Sequence, residues 1–246
     1  IMFSGNCNTS KCFCIGSIIV NVCGSGSAQH NSINIFESYK TINATKFSFQ
    51  AFSSIKGNTP NETIAQLQEY ASARLKHLGR GGARRAYLLS SRKVLKIAIN
   101  EKGIQQNNAE IEISKNAKPD AMITKVYDYS KSDSCWLICE LIRPVNNEEE
   151  FFKYAQYDLS DVIAALKEFK KFQNSGGKVT KSYVDDLFLW NVWQTVNDAN
   201  IAIFDLNKID HWGINVDNKL VILDYGFTNQ MLKKVQDDTG EFKDFL

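Results

Sequence analysis

LGRGGARRAYLLSSRKVLKIAI (residues 78–99) places a glycine-rich turn ahead of two short β-prone runs, RAYLL (85–89) and VLKIAI (94–99), the second of which carries Lys96. The polar SSRK between the runs predicts a hairpin with a four-residue turn. Gly79, Gly81 and Gly82 permit backbone conformations barred to other residues and let main-chain N–H groups approach an anion. A plain hairpin turn or helix cap has the same composition, so the meaning of the stretch depends on its neighbours.

Upstream, ETIAQLQEYASARLKHL (62–78) spaces Ile64, Leu67, Tyr70 or Ala71, and Leu75 close to a helical period, with Gly79 as a stop signal. Downstream, IQQNNAEIEISKNAK (104–118) has helix-forming composition and ends at Pro119, and MITKVYDYS (122–130) and CWLICELI (135–142) read as two further strands around the polar turn KSDS. After Pro144 three helical segments are predicted, at 148–156, 159–172 and 180–199. In the second of them Val162, Leu166, Phe169 and Phe172 form a core-facing stripe, and Trp190 and Trp193 are expected in the core rather than as a base-stacking platform. IAIF (201–204) and KLVILDYG (219–226) read as strands around the polar DLNKIDHWGIN (205–215), and a final helix closes the chain.

The composition is that of an ordinary globular protein, with 246 residues, 43% apolar and 23% charged. A net charge of +2 argues against a protein that coats nucleic acid by bulk electrostatics. The basic run Arg74, Lys76, Arg80, Arg84, Arg85, Arg92 and Lys93 would be divided by strand alternation between two faces, which makes nucleic acid the least favoured partner. Residues 1–60, rich in Ser, Asn and Gly and ending at Thr59-Pro60, read as an appendage. Their apolar stretch CFCIGSIIVNVCG (12–24) suits a secretory leader, a buried strand or a segment packed on the main body, and it is too short to span a bilayer. Cys7, Cys12, Cys14 and Cys23 offer zinc or disulfide chemistry, but their spacing lacks paired CxxC knuckles. Cys135 and Cys139, at i and i+4 on an apolar strand, are expected to be core thiols on one face.

Four pieces in this order, namely the glycine turn, VLKIA (94–98), WLICELIRPV (136–145) and LVILDYG (220–226), resemble the protein-kinase-like superfamily over about residues 75–228. The resemblance implies an α+β, two-lobed fold. A small lobe at 61–143 would hold an antiparallel sheet and one helix behind a leading helix, and an abbreviated, mainly helical large lobe would occupy 144–246. It implies ATP and Mg²⁺ as cofactors, with Gly79, Gly81, Gly82 and Lys96 at the phosphates and the backbone of Glu140 to Ile142 at adenine, beside a gatekeeper at Cys139. Glu110 would be the partner of Lys96, ahead of Glu112, because Ile111 and Ile113 then take packing positions. Asp205 would orient the acceptor hydroxyl, and Asp224 of the DYG triplet would bind metal with either Asp210 or His211 in place of the usual asparagine.

The chain departs from the family pattern in several places. The turn is G-x-G-x-x-R and lacks the third glycine, the HRD triplet is absent, and twenty residues follow Gly226 with no APE triplet. This layout resembles small-molecule phosphotransferases and short phage-encoded kinase-like proteins. It implies a phosphotransferase with a protein or small-molecule acceptor, of cytoplasmic or virion location with secretion left open. The alternative is a pseudokinase that keeps the fold as a nucleotide-binding or interaction module.

Overall fold

The computed structural model describes residues 11–14, 19–22, 47–176 and 178–239. Expectations attached to the side chains of Cys7, Cys12, Cys14 and Cys23, and to the 12–24 stretch as a leader, lie outside the described residues. The fold is α+β and two-lobed, a lobe built on an antiparallel sheet followed by a mainly helical one. Strands β1 (Lys11–Cys14) and β2 (Ile19–Val22) come first, followed by the short helix α1 (Phe49–Ser53). Helix α2 (Pro60–Ser72) begins where a boundary is read in the sequence: the Thr59 hydroxyl accepts from the Glu62 N–H at 3.2 Å, while the Glu62 carboxylate accepts from the Asn58 N–H at 2.8 Å.

The small-lobe sheet continues with β3 (Lys76–Arg80), β4 (Arg84–Ser90) and β5 (Lys93–Ala98). Helix α3 (Glu101–Asn116) crosses to β6 (Val126–Tyr129) and β7 (Trp136–Glu140). Spatial order is β1-β2-β3-β4-β5-β7-β6, antiparallel throughout. Side chains alternate between two layers. Ala86, Leu88, Val94, Leu137 and Cys139 face inward with Ile111 of α3, whereas Tyr87, Leu95, Ile97, Trp136 and Ile138 face outward and are covered by Phe52, Ile64, Leu67 and Ala71.

Beyond β7 the chain forms β8 (Arg143–Pro144), α4 (Glu148–Ala155), α5 (Leu159–Ser175), α6 (Lys181–Val184) and α7 (Leu187–Asp198). Two 3₁₀ turns, Ile203–Asn207 and Ile209–His211, lead into β9 (Trp212–Ile214), β10 (Leu220–Ile222) and α8 (Asn229–Thr239). Phe151, Val162, Leu166, Phe169, Leu189, Val192, Trp193 and Trp212 form the core of this lobe. The lobes are joined where the Ile222 N–H donates to the Met122 carbonyl at 2.8 Å and the Tyr225 hydroxyl donates to the Thr124 carbonyl at 2.6 Å. No helix among the described residues is long and apolar enough to cross a membrane.

Several expectations are corrected. Gly79 does not end a helix: α2 stops at Ser72, and Lys76–Arg80 pairs with β4 as a strand with Leu78 inward. The helix expected over 180–199 is two helices, because the Asp186 carboxylate turns to accept from the Leu189 N–H at 2.9 Å and caps the second. IAIF is not a strand, since the Asp205 N–H donates to the Ala202 carbonyl and the three-residue spacing of Ile203 and Leu206 buries both in a 3₁₀ turn. Phe172 and Trp190 are exposed, at 51% and 39%, near the surface edge of the α5–α7 contact. Cys135 and Cys139 are both buried and free, but they enter opposite layers, Cys135 lying just before β7 and outside the alternation of that strand. Burial pushes their thiols up to about 12 and about 11.

Phe52, counted in the sequence with the appendage, is completely buried and stands edge-on to Trp136 with ring centroids 5.6 Å apart. Phe52→Ala is expected to destabilise the chain by about 3–5 kcal/mol, seen as a lower midpoint in urea denaturation. An unchanged midpoint would detach this segment from the sheet.

Candidate active site

The site begins with the alternation of β5, which turns Lys96 to the inner face while Leu95 and Ile97 face outward. Helix α3 supplies the counter-charge. Its N-cap is Asn100, whose side-chain carbonyl accepts from the Gly103 N–H at 3.1 Å while its amide donates to the Gly82 carbonyl at 3.2 Å. The Ile99 N–H adds a 2.7 Å bond to the Ala83 carbonyl. The helix start is therefore fastened to the glycine turn. Two and a half turns on, Glu110 meets Lys96, with Nζ at 2.9 Å from Oε2 and 3.2 Å from Oε1. Glu112 instead faces outward and pairs with Lys115.

Arg84 completes this centre, and sequence reasoning missed it. Its guanidinium is buried between the lobes, with NH1 at 2.7 Å from Glu110 Oε1 and NH2 at 2.9 Å from Asp224 Oδ1. Burial opposes the charge, but Glu110 and Asp224 outweigh it and push the guanidinium pKa up. Asn107, fully buried, lies 3.5 Å from Arg84 NH1 through its oxygen and donates to the Ser134 carbonyl at 2.8 Å. A signal was available for both. Arg84 has the parity of Ala86 and Leu88 on β4, and Asn107 precedes Glu110 by three residues, on the same helix face.

A second group lies beside Asp224. His211 is buried, with Nδ1 at 3.3 Å from Asp205 Oδ2 and Nε2 at 3.8 Å from Asp210 Oδ1. Neither approach is aligned as a hydrogen bond, and His211 Nδ1 and Asp210 Oδ1 are buried without hydrogen-bond partners. Burial pulls the His211 pKa down, but Asp205, Asp224 and Asp210 together raise it above its ordinary value of 6.5. Lys208 reaches Asp205 Oδ1 at 3.1 Å.

The glycine turn differs from its expected form. Gly79 is within β3, the Gly81 N–H is committed to the Arg84 carbonyl at 2.9 Å, and none of Gly79, Gly81 and Gly82 has positive φ. A Cβ on Gly82 would meet nothing within 4 Å, which leaves open space for a ligand. At the hinge the Glu140 N–H already bonds the Lys125 carbonyl at 2.9 Å, and the Ile142 side chain packs against Gly213.

The residues as placed do not fit Mg²⁺. Among the described residues no three His, Cys, Asp or Glu side chains are grouped to hold a metal ion. Of the three expected ligands, Asp224 presents Oδ1 to Arg84, and His211 is set between Asp205 and Asp210. Asp210 Oδ1 is buried without a hydrogen-bond partner.

No protein-family model matches the chain, and no curated protein matches it. Among solved structures it is similar to the GDP and kanamycin complex of APH(2")-IIia, at 12% identity and a TM-score of 0.35 over 69% of this chain and 78% of that one. It is also similar to the streptomycin–ATP–APH(2")-IIa ternary complex, at 15% identity and a TM-score of 0.32 over 70% of this chain and 72% of that one. The functional reading therefore rests on the residues themselves.

Two outcomes follow for this site. Because the His211 pKa is raised on folding, its stabilising contribution is complete below 6.5 and is lost as pH rises through the raised value. Melting temperature measured from pH 5 to pH 9 should fall over that interval in the wild type, and His211→Asn should remove this component. Gly103→Ala would place a methyl 2.1 Å from the Ala83 carbonyl oxygen, so the start of α3 must move. Gly103→Ala is therefore expected to destabilise the chain by about 1–3 kcal/mol, read as a lower midpoint in urea denaturation.

Proposed function

We propose that the chain is a nucleotide-dependent phosphotransferase of kinase-like fold, using ATP and acting on a hydroxyl of a protein or small-molecule acceptor. The observation that carries this reading is the buried Lys96–Glu110 pair at 2.9 Å, on the strand and helix that follow a glycine turn. A buried ion pair contributes little net stability compared with well-packed apolar groups. A lysine held in place by a carboxylate is, in contrast, well suited to meet a phosphate as a point charge.

On this reading Lys96 contacts the phosphates, Glu110 holds it in position, and the backbone of Ile142 takes the adenine edge, since the Glu140 and Leu141 N–H groups are committed to the Lys125 and Arg92 carbonyls. Gly82 offers the open side of the turn. Asp205 lies beyond the phosphates and orients the acceptor hydroxyl, its own carboxylate held by Lys208 and set beside His211. Rate enhancement would come from positioning and from fixed charges at the transferring group. No step is assigned to Mg²⁺.

A second reading has one specific observation in its favour. Arg84 occupies Asp224, the carboxylate a kinase reserves for its metal, which suits a pseudokinase that binds nucleotide and transfers nothing.

Thermal stability with and without ATP, together with phosphate release, separates these readings. At a hundredfold excess over Kd, ATP should raise the wild-type melting temperature by about 5–10 °C, and Lys96→Ala should abolish the shift. Asp205→Asn should keep the shift and lose about 100-fold or more in turnover. A shift without turnover in the wild type selects the pseudokinase. Absence of both overturns nucleotide binding altogether.

A further inference from the structure

We propose that the chain binds a small organic ammonium, a hydrocarbon ring or chain carrying one cationic nitrogen, in a cavity of about 210 Å³ between α3 and α7. The inference is independent of the phosphotransferase reading, because the cavity shares no residue with the Lys96 centre. Its floor is apolar, made by Ile113 of α3, Ala117, Ala121 and Ile123 of the connection to β6, and Ala199 at the end of α7. Ile123 belongs to the large-lobe core and the other four pack against it, so the floor is fixed from below. The connection is fixed as well: the Met122 N–H donates to the Thr195 hydroxyl at 3.1 Å, and the Met122 carbonyl accepts from the Ile222 N–H at 2.8 Å. Three of the five floor residues are alanine, and these short side chains leave the space unfilled.

The rim gives the ligand its charge. It carries Glu112, Asp120, Asp198 and Lys118, with Lys115 next to them on α3. Glu112 is paired with Lys115 at 2.6 Å and Asp198 with Lys118 at 2.7 Å, which leaves Asp120 without an ion pair among the described residues. The end of α3 adds to that negative balance. Its C-cap, Ala117, is extended at ψ 138°, and no backbone N–H among the described residues turns back onto the last carbonyls of the helix. A helix of 16 residues therefore brings its negative pole to the cavity uncapped, where a cation is favoured. The side-chain amides of Asn191 and Gln194 line the same space and make no hydrogen bond among the described residues, so their oxygens can accept from an ammonium. No group of three metal-ligating side chains is found among the described residues, which points to an organic cation rather than a metal ion. Sites for drug-sized ligands enclose about 300–1,000 Å³, so this smaller one suits a molecule such as cyclohexylamine. Its ring would cover the alanine floor while its nitrogen meets the rim.

The test needs no nucleotide and no turnover, so its failure is separate from failure of the phosphotransferase reading. Cyclohexylammonium chloride is titrated into the full chain with its isoleucine δ1 methyls labelled for NMR, against NaCl at matched ionic strength and against cyclohexanol as the uncharged ring. The Ile113 and Ile123 methyls should shift saturably with a Kd of about 1 mM, the affinity open to so small a ligand. Ile64 and Ile97, in the outer layer of the small-lobe sheet, should not move. Cyclohexanol should bind about fivefold more weakly or worse, since it lacks the charge that the rim and the helix end favour. Ala121→Leu fills the floor and should weaken cyclohexylammonium binding about tenfold or more. Absence of a saturable shift at both methyls, equal shifts at Ile64 and Ile97, equal binding of cyclohexanol, or unchanged affinity in Ala121→Leu each overturns the proposal. If Ala121→Leu does not fold, the wild-type methyl shifts and the comparison with cyclohexanol decide by themselves.

Discussion

Four charges shut away from water, Arg84, Lys96, Glu110 and Asp224, are the constraint around which the rest of this structure is arranged. A buried ion withstands its desolvation only with a partner at close range, so each of these side chains must be held in place from its backbone outward. Arg84 is held by β4 and Lys96 by β5, two neighbouring strands in fixed register. Glu110 is held by α3 and Asp224 by the chain leaving β10. Two of the three ion pairs fasten α3 to the sheet, and the third, Arg84 to Asp224, crosses to the other lobe.

Helix α3 has little freedom within that arrangement, and glycine is the reason at both of its contacts. At Gly103 a Cβ would lie 2.1 Å from the Ala83 oxygen, so the first turn of α3 sits directly against the glycine turn. At Gly226 a Cβ would lie 3.0 Å from the Gln106 oxygen, so the DYG segment presses against the next turn of the same helix. The glycine of the DYG triplet and the glycine at the start of α3 thus serve one purpose, close approach of backbone to backbone. Together with the Asn100 cap, they set the height at which Glu110 reaches Lys96. The Tyr225 ring, fully buried in the large-lobe core with its hydroxyl on Thr124, keeps Asp224 from moving with solvent.

How much of this was legible in the sequence depended on the range of the forces involved. Strands β4 to β7 and helices α3 to α5 could be read because their apolar periodicity is local, and Glu110 could be chosen over Glu112 from the packing of Ile111 and Ile113. The errors occurred where a contact distant in sequence decides the outcome. Lys76–Arg80 resembles the end of a helix until β4 pairs with it, and IAIF resembles a strand until Ile203 and Leu206 must enter the same core. Trp212–Ile214 gave no signal as a strand, since three residues carry no period and only β8 and β10 on either side define it. Among the glycines, the sequence drew attention to the turn, whereas the close approaches that a side chain would prevent are at Gly57, Gly103, Gly213 and Gly226.

Arg84 shows the same limit in its sharpest form. In the sequence it is one of seven Lys and Arg residues between positions 74 and 93, and strand parity alone assigns it to the opposite face from Arg85. What parity does not reveal is that this face is closed off, so that a cation placed there must be answered by carboxylates from two separate lobes. The missing third glycine and the carboxylate of the DYG triplet are 140 residues apart, yet they become one feature once the lobes close. Where the resemblance would place a third glycine this chain carries Arg84, and its guanidinium meets Asp224 at 2.9 Å. The same side chain therefore answers a carboxylate from each lobe, Glu110 at 2.7 Å and Asp224 at 2.9 Å.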